Sequence, residues 1–230
     1  MTAPEPEGLF DLRAATTPPP TAKPRRQHPK THRRANTLIP DVAPNARFDP
    51  VPDRVAAAAA AAGWPGIVLP RLNIADLRVY PVIVPNVEVW RQRVITRQRP
   101  ELDLSTLALW ESWTPDLGPM PPESALTIVG FAATGPAQRA AAAVAYLGSL
   151  GAGLVVATTK RRPAEQSMWE CDCKDVFLAW APPGGAAASL LVRGRTGPVA
   201  TARRSPFTRG QEEKMFAWAL HTATPTPLNH

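Results

Sequence analysis

The chain has 230 residues, 44% hydrophobic and 20% charged, and its 26 Lys and Arg against 19 Asp and Glu give a formal net charge of +7. Ala supplies much of the apolar material and buries little area per residue, so one modest core is expected, and the basic excess favours polyanions or acidic partners. No apolar run is long enough for a spanning helix, the acidic start MTAPEPEGLFDL is no secretory signal, and Cys171 and Cys173 are too close to staple a fold; a cytoplasmic, reducing setting without membrane contact is expected.

Residues 1–52 hold eleven of the 28 prolines and few large apolar side chains, too little buried surface to offset the entropy of ordering them. A disordered, Pro-rich basic tail is therefore expected. Within it Lys23, Arg25, Arg26, Lys30, Arg33 and Arg34 run without an intervening acid, a pattern suited to nucleic-acid phosphates and also to a solvated linker. Residues 53–118 read as a helical or irregular N-terminal portion. Asp53 can cap a helix over the Ala-rich residues 54–62, and Gly63 stands where a helix end favours glycine. Val79, Val82, Ile83 and Val84 favour a strand that Pro81 and Pro85 confine to an edge or bend. Asn86 can cap the next helix, with Val87, Trp90 and Val94 on its inner face and Pro100 ending it, while Arg91, Arg93, Arg97 and Arg99 spread around it. A further helix turns Leu104, Leu107 and Trp110 inward, and the Pro- and Gly-rich residues 114–123 mark a linker or subdomain boundary.

Residues 119–223 form the expected α/β core, followed by a frayed end at 224–230. ALTIVGF and GLVVATT read as parallel strands joined by the helix PAQRAAAAVAYLGSL, with Pro136 at its first position. DVFLAWA and AASLLVRG flank Pro182, Pro183, Gly184 and Gly185 as a hairpin. Thr208 and Gln211 match a capping box before a last helix whose inner face is Met215, Phe216, Ala219 and Leu220. The fold class is thus α/β: a small mixed sheet built on one βαβ unit plus a hairpin.

Three motifs bear on chemistry. Gly130, Thr134 and Gly135 lie in a GxxxxG segment between strand and helix, which over about thirty-five residues resembles the P-loop family. Pro136 and Ala137 stand where that family carries the phosphate-reaching Lys and the magnesium-holding Ser or Thr, so the resemblance implies an eroded scaffold. What remains is anion binding at the helix start or a structural turn. Glu170, Asp172 and Lys174 alternate, and on a strand they would share one face; this half-motif resembles metal-dependent nucleases, with Asp116 as the available third carboxylate. Cys171 and Cys173 offer two thiolates, but the nearest spaced histidines, His28 and His32, sit in the tail, so a pair packed in a sheet core is expected and no metal or cofactor is assigned. The seven tryptophans are expected to anchor the core and interfaces.

These features point to a non-catalytic binding or accessory protein acting near DNA or on a DNA-handling partner, with nucleic acid or that protein as its ligand. A nucleotide-binding or metal-dependent nuclease-type enzyme and a protein-interaction or assembly subunit are the alternatives. Arg91 to Arg99 and Lys160, Arg161 and Arg162 are the further cationic candidates after the tail.

Overall fold

The computed structural model describes residues 51–184 and 187–222. The basic stretch at residues 23–34 and the segment 224–230 lie outside the described residues. After Pro52 the alanines form α1 (Asp53–Ala61), which buries Val55, Ala58 and Ala59. Asp53 is its first residue rather than its cap. Gly63, at φ 72°, carries the chain away in the left-handed conformation that glycine accepts without strain.

Strands β1 (Ile67–Val68), β2 (Leu72–Ile74) and β3 (Leu77–Pro85) follow. Of the edge or bend expected from its prolines, β3 has a register shift at Val82/Ile83 but is no edge: β1 and β2 pair antiparallel along one side and β4 (Leu126–Thr134) along the other. The Pro81 carbonyl accepts from the Leu69 N–H at 2.8 Å. The donor that Pro81 lacks would point the same way, into the break between β1 and β2, so the β3–β4 ladder loses nothing.

From β4 the chain runs through α4 (Ala137–Tyr146), β5 (Ala152–Ala157), α5 (Glu165–Cys173) and β6 (Phe177–Trp180), then returns along β7 (Ser189–Val192). The order β1-β3-β4-β5-β6-β7, with β2 also on β3, is a mixed seven-stranded sheet; β4, β5 and β6 are parallel and β7 is antiparallel to β6. The α/β class and the β6–β7 hairpin agree with the sequence, but there are two consecutive βαβ units instead of one. The second exists because residues 165–173 coil into α5, burying Cys171 and part-burying Met168 at i, i+3 spacing.

Strand alternation sorts the core into two layers. Phe131, Ala133, Val155 and Leu178 pack with Ala140, Ala141 and Val144 of α4. Tyr80, Leu154, Val156, Phe177 and Ala179 pack with α1 and Trp64 on the other face. All six residues of β5 are buried between the layers.

α2 (Val87–Ile95), α3 (Leu104–Glu111) and α6 (Pro206–Thr222) complete the fold. The Asn86 and Asp103 side chains cap α2 and α3 by accepting from the Val89 and Thr106 N–H groups. Ser205, not Thr208, opens α6: its Oγ accepts from the Thr208 N–H at 3.3 Å, and Gln211 is buried rather than boxed with Thr208. The expected inner face of α2 holds for Trp90 but not for Val87 and Val94. Its buried residue is Arg93, 1% exposed, while Val87 and Val94 are 63% and 50% exposed and Trp90 packs edge-on against Phe216 of α6. In α3, Leu107 is buried but Leu104 is largely exposed.

Arg93 inserts between the helices because Glu213 of α6 meets it with both oxygens, at 2.7 and 2.8 Å. Glu213 also accepts from the Glu101 N–H at 3.0 Å and pairs with Arg209 at 3.1 Å. Arg93 donates onward to the Arg99 carbonyl, and Arg209 to the Pro122 carbonyl. Their guanidinium groups lie over the Phe216 and Trp110 rings, at 4.6 and 5.6 Å from the centroids. Arg204 bridges Glu111 of α3 and Glu212 of α6, so two sets of ion pairs meet on α6, one from α2 and one from α3 and the loop before α6.

Candidate nucleic-acid interface

In an open sheet with parallel strands, ligands are bound beyond the strands' carboxyl ends. Here β4, β5 and β6 end together: Thr134 pairs with Val156, and Ala157 with Trp180. The segment between β5 and α5 carries Lys160, Arg161 and Arg162, all exposed, and none of the three forms an ion pair among the described residues. Its backbone is pinned. The Trp180 indole N–H donates to the Thr159 carbonyl at 2.9 Å, and the Thr159 hydroxyl donates to the Arg161 carbonyl at 2.7 Å. Three cations are thereby presented from an anchored turn. Exposed Arg139 in the first turn of α4 and exposed Thr134 at the tip of β4 belong to the same edge.

Downstream, Glu165 occupies the first turn of α5 and places a negative charge at that helix end. An anion at this edge is therefore met by side chains more than by helix N–H groups. Trp169, 66% exposed, follows one turn into α5, about 6 Å along its axis. Trp64 and Trp218 are buried anchors, Trp64 edge-on against Phe177 at 5.7 Å and Trp218 donating its indole N–H to the Pro70 carbonyl, while Trp90, Trp110, Trp113 and Trp180 are part-buried.

The residues singled out for anion binding are only partly brought together. Gly130 to Thr134 are strand, not loop, so the likeness to a P-loop does not extend to the geometry. Gly130 is buried about 13 Å along β4 from Thr134. There it admits Trp64, since a Cβ would lie 2.3 Å from the Ala152 carbonyl oxygen and 2.7 Å from the Trp64 ring. Thr134 and Gly135 do meet at the edge; Gly135 turns the chain at φ 124° in open space.

The nuclease-type half-motif fails for a different reason. Asp172 lies on α5 and Lys174 caps its end, so Glu170, Asp172 and Lys174, spaced by two residues, point to different sides of a helix. Asp116 sits in the short 3-10 turn Pro115–Leu117, its carboxyl held below the usual range by the Thr114 hydroxyl. Among the described residues no cluster of three or more His, Cys, Asp or Glu side chains is placed to hold a metal ion. The cysteines are likewise not paired in a sheet: Cys171 is buried in α5, its thiol pushed up to about 11 by burial and the Glu170 charge, while Cys173 is exposed. Arg93, one of the alternative cationic candidates, is consumed by Glu213, and Arg91 stands 3.8 Å from Glu88.

The triplet at residues 160–162 was visible in the sequence, and the strand GLVVATT just before it fixes its place at the edge. Trp169 was not singled out, because its neighbours were read as a strand.

No helix among the described residues is long and apolar enough to cross a membrane. Compared with protein-family models, curated proteins and solved structures, the chain matches none.

Proposed function

We propose that the protein is a non-catalytic binding protein acting near DNA, holding nucleic acid by its phosphates along the edge formed by Lys160, Arg161, Arg162 and Arg139, with the arm at residues 23–34 adding sequence-indifferent affinity. The observation that carries this reading is the anchored, unpaired cation triplet at the carboxyl ends of the parallel strands. The charge balance supports it as well: 18 of the Lys and Arg and 14 of the Asp and Glu lie after residue 50, so the basic excess is not confined to the arm. Against the nuclease-type alternative, Glu170 and Asp172 lie on different sides of a helix, and against the nucleotide-binding one, the P-loop-like segment is strand as far as Thr134.

The test is binding of a fluorescein-labelled DNA duplex across a salt series. Six arm cations and the edge triplet, each displacing a counterion, give a log–log slope of about −8. Replacing Lys160, Arg161 and Arg162 together by Ala should flatten it by about 3, and deleting residues 1–50 by about 5. An unchanged slope in the triple variant would move the contact off this edge. Absence of binding at 50 mM salt would end the nucleic-acid reading and favour an assembly subunit.

A further inference from the structure

We infer that the groove between α2 and edge strand β1 is a docking site for a short amphipathic helix of a partner protein, whose apolar face enters the groove and whose acidic flank meets Arg91. This inference is independent of the DNA-binding edge.

α2 has two faces of inverted character. The face toward α6 buries Arg93, and the face toward solvent carries Val87, Val94 and Ile95, with exposures of 63%, 50% and 73%. With Ile67 of β1, 50% exposed, and Pro85, they wall an open groove of about 430 Å³. Positions 87, 91, 94 and 95 fall at i, i+4, i+7 and i+8, so Arg91 belongs to the same stripe. Scattered surface hydrophobics are ordinary; a contiguous stripe facing a groove marks an interaction surface.

The size and charge of the groove select the occupant. Nine residues of α2 span about 13 Å, enough for two to three turns of a partner helix. A stable pair of globular copies buries about 800 Å² on each side, whereas a stripe of this length offers a few hundred. Two copies meeting face to face through α2 would also bring Arg91 toward its own counterpart. β1, only two residues long, offers little ladder for an added strand. The charge in the groove wall is Arg91, whose counter-ion Glu88 is 3.8 Å away with both side chains mostly exposed, so this pair is weakly held and open to exchange. An incoming carboxylate is favoured and an incoming ammonium is not.

The experiment uses the full chain and two fluorescein-labelled helical peptides of about twelve residues, each with a leucine face, one flanked by glutamates and the other by lysines. The glutamate peptide should bind saturably and at least tenfold more tightly than the lysine peptide. Val94→Glu should abolish binding, and Arg91→Glu should reverse the preference. Both positions are exposed, so an unchanged melting temperature will show that the fold is intact. Equal binding of the two peptides, no binding of either, or glutamate-peptide binding unmoved by Val94→Glu overturns the inference. A concentration-dependent dimer in sedimentation that Val94→Glu dissolves assigns the groove to a second copy instead, and also overturns it.

Discussion

The parallel half of the sheet and the α2–α3–α6 half are held together by different physics. In β4–α4–β5–α5–β6 the buried side chains are apolar, the Cys171 thiol among them, and fit is set by glycines: a Cβ on Gly153 would lie 2.8 Å from a Val144 methyl group. Cohesion there grows with the area removed from water, contact by contact. Across α2, α3 and α6 the buried groups include Arg93, Arg209, Glu212 and Glu213, and cohesion depends on one carboxylate, Glu213, serving several donors at once. The first arrangement should degrade gradually and the second abruptly, because removing a hub leaves buried charge without compensation.

The sharpest way to break this contrast is Glu213→Ala. Stranding Arg93 and Arg209 should cost about 3–5 kcal/mol in a urea titration. The triple change Arg93→Met, Arg209→Met and Glu213→Leu should recover most of that, since an apolar replacement has no charge to compensate. A loss under about 1 kcal/mol for the single variant would mean that water reaches these groups and the two halves are alike. In the parallel half, Gly130→Ala should cost about 1–3 kcal/mol by forcing Trp64 and the Ala152 carbonyl apart. Gly135→Ala, which meets no atom and suffers only from its positive φ, should cost about 1 kcal/mol. Equal losses at the two glycines would place Gly130 in a softer environment than its neighbours indicate.

Thiol labelling gives a smaller effect within one helix. Native protein should take up one equivalent of iodoacetamide at neutral pH, on Cys173, and two after unfolding, because burial keeps Cys171 protonated. Smallest of all is the acid response of Asp103, lowered to about 2 by the Ser105 and Thr106 hydroxyls. A folded-state pKa below the usual 3.8 means that the α3 cap is fully present above about pH 4 and is lost as pH falls toward 2, readable as a carboxyl titration by NMR. A midpoint near 3.8 would show the cap to be absent.

The same contrast explains what could be read from the sequence. The βαβ pattern at residues 125–157 was legible because apolar period matches burial there, and Lys160 to Arg162 could be placed once their strand was. α2 misled in part because Arg93 is inward beside Trp90: the periodicity places Trp90 rightly but also turns Val87 and Val94 inward, when Arg93 has a buried partner 120 residues away. α5 misled because Glu170, Asp172 and Lys174 alternate by chance within a helix whose one buried side chain is Cys171. Pro81 suggested an edge because the break between β1 and β2 that receives its missing donor is a tertiary fact. Of the residues that the GxxxxG spacing singled out, Thr134 and Gly135 reach the edge and Gly130 does not, since that spacing does not distinguish a loop from a strand that needs a glycine for packing.

The separation of Arg93 from Glu213 also has a temporal side. During synthesis α2 leaves the ribosome 120 residues ahead of its counter-ion. At translation rates of about 5–20 residues per second, that is a delay of roughly 6–24 s. Throughout that interval Arg93 lacks Glu213, and the contacts that α2 and α3 make with α6 form only once α6 arrives. The parallel strands and α4 are already complete by then. Among the described helices α6 is made last, and quality control acting on the nascent chain would see α2 and α3 without it until then.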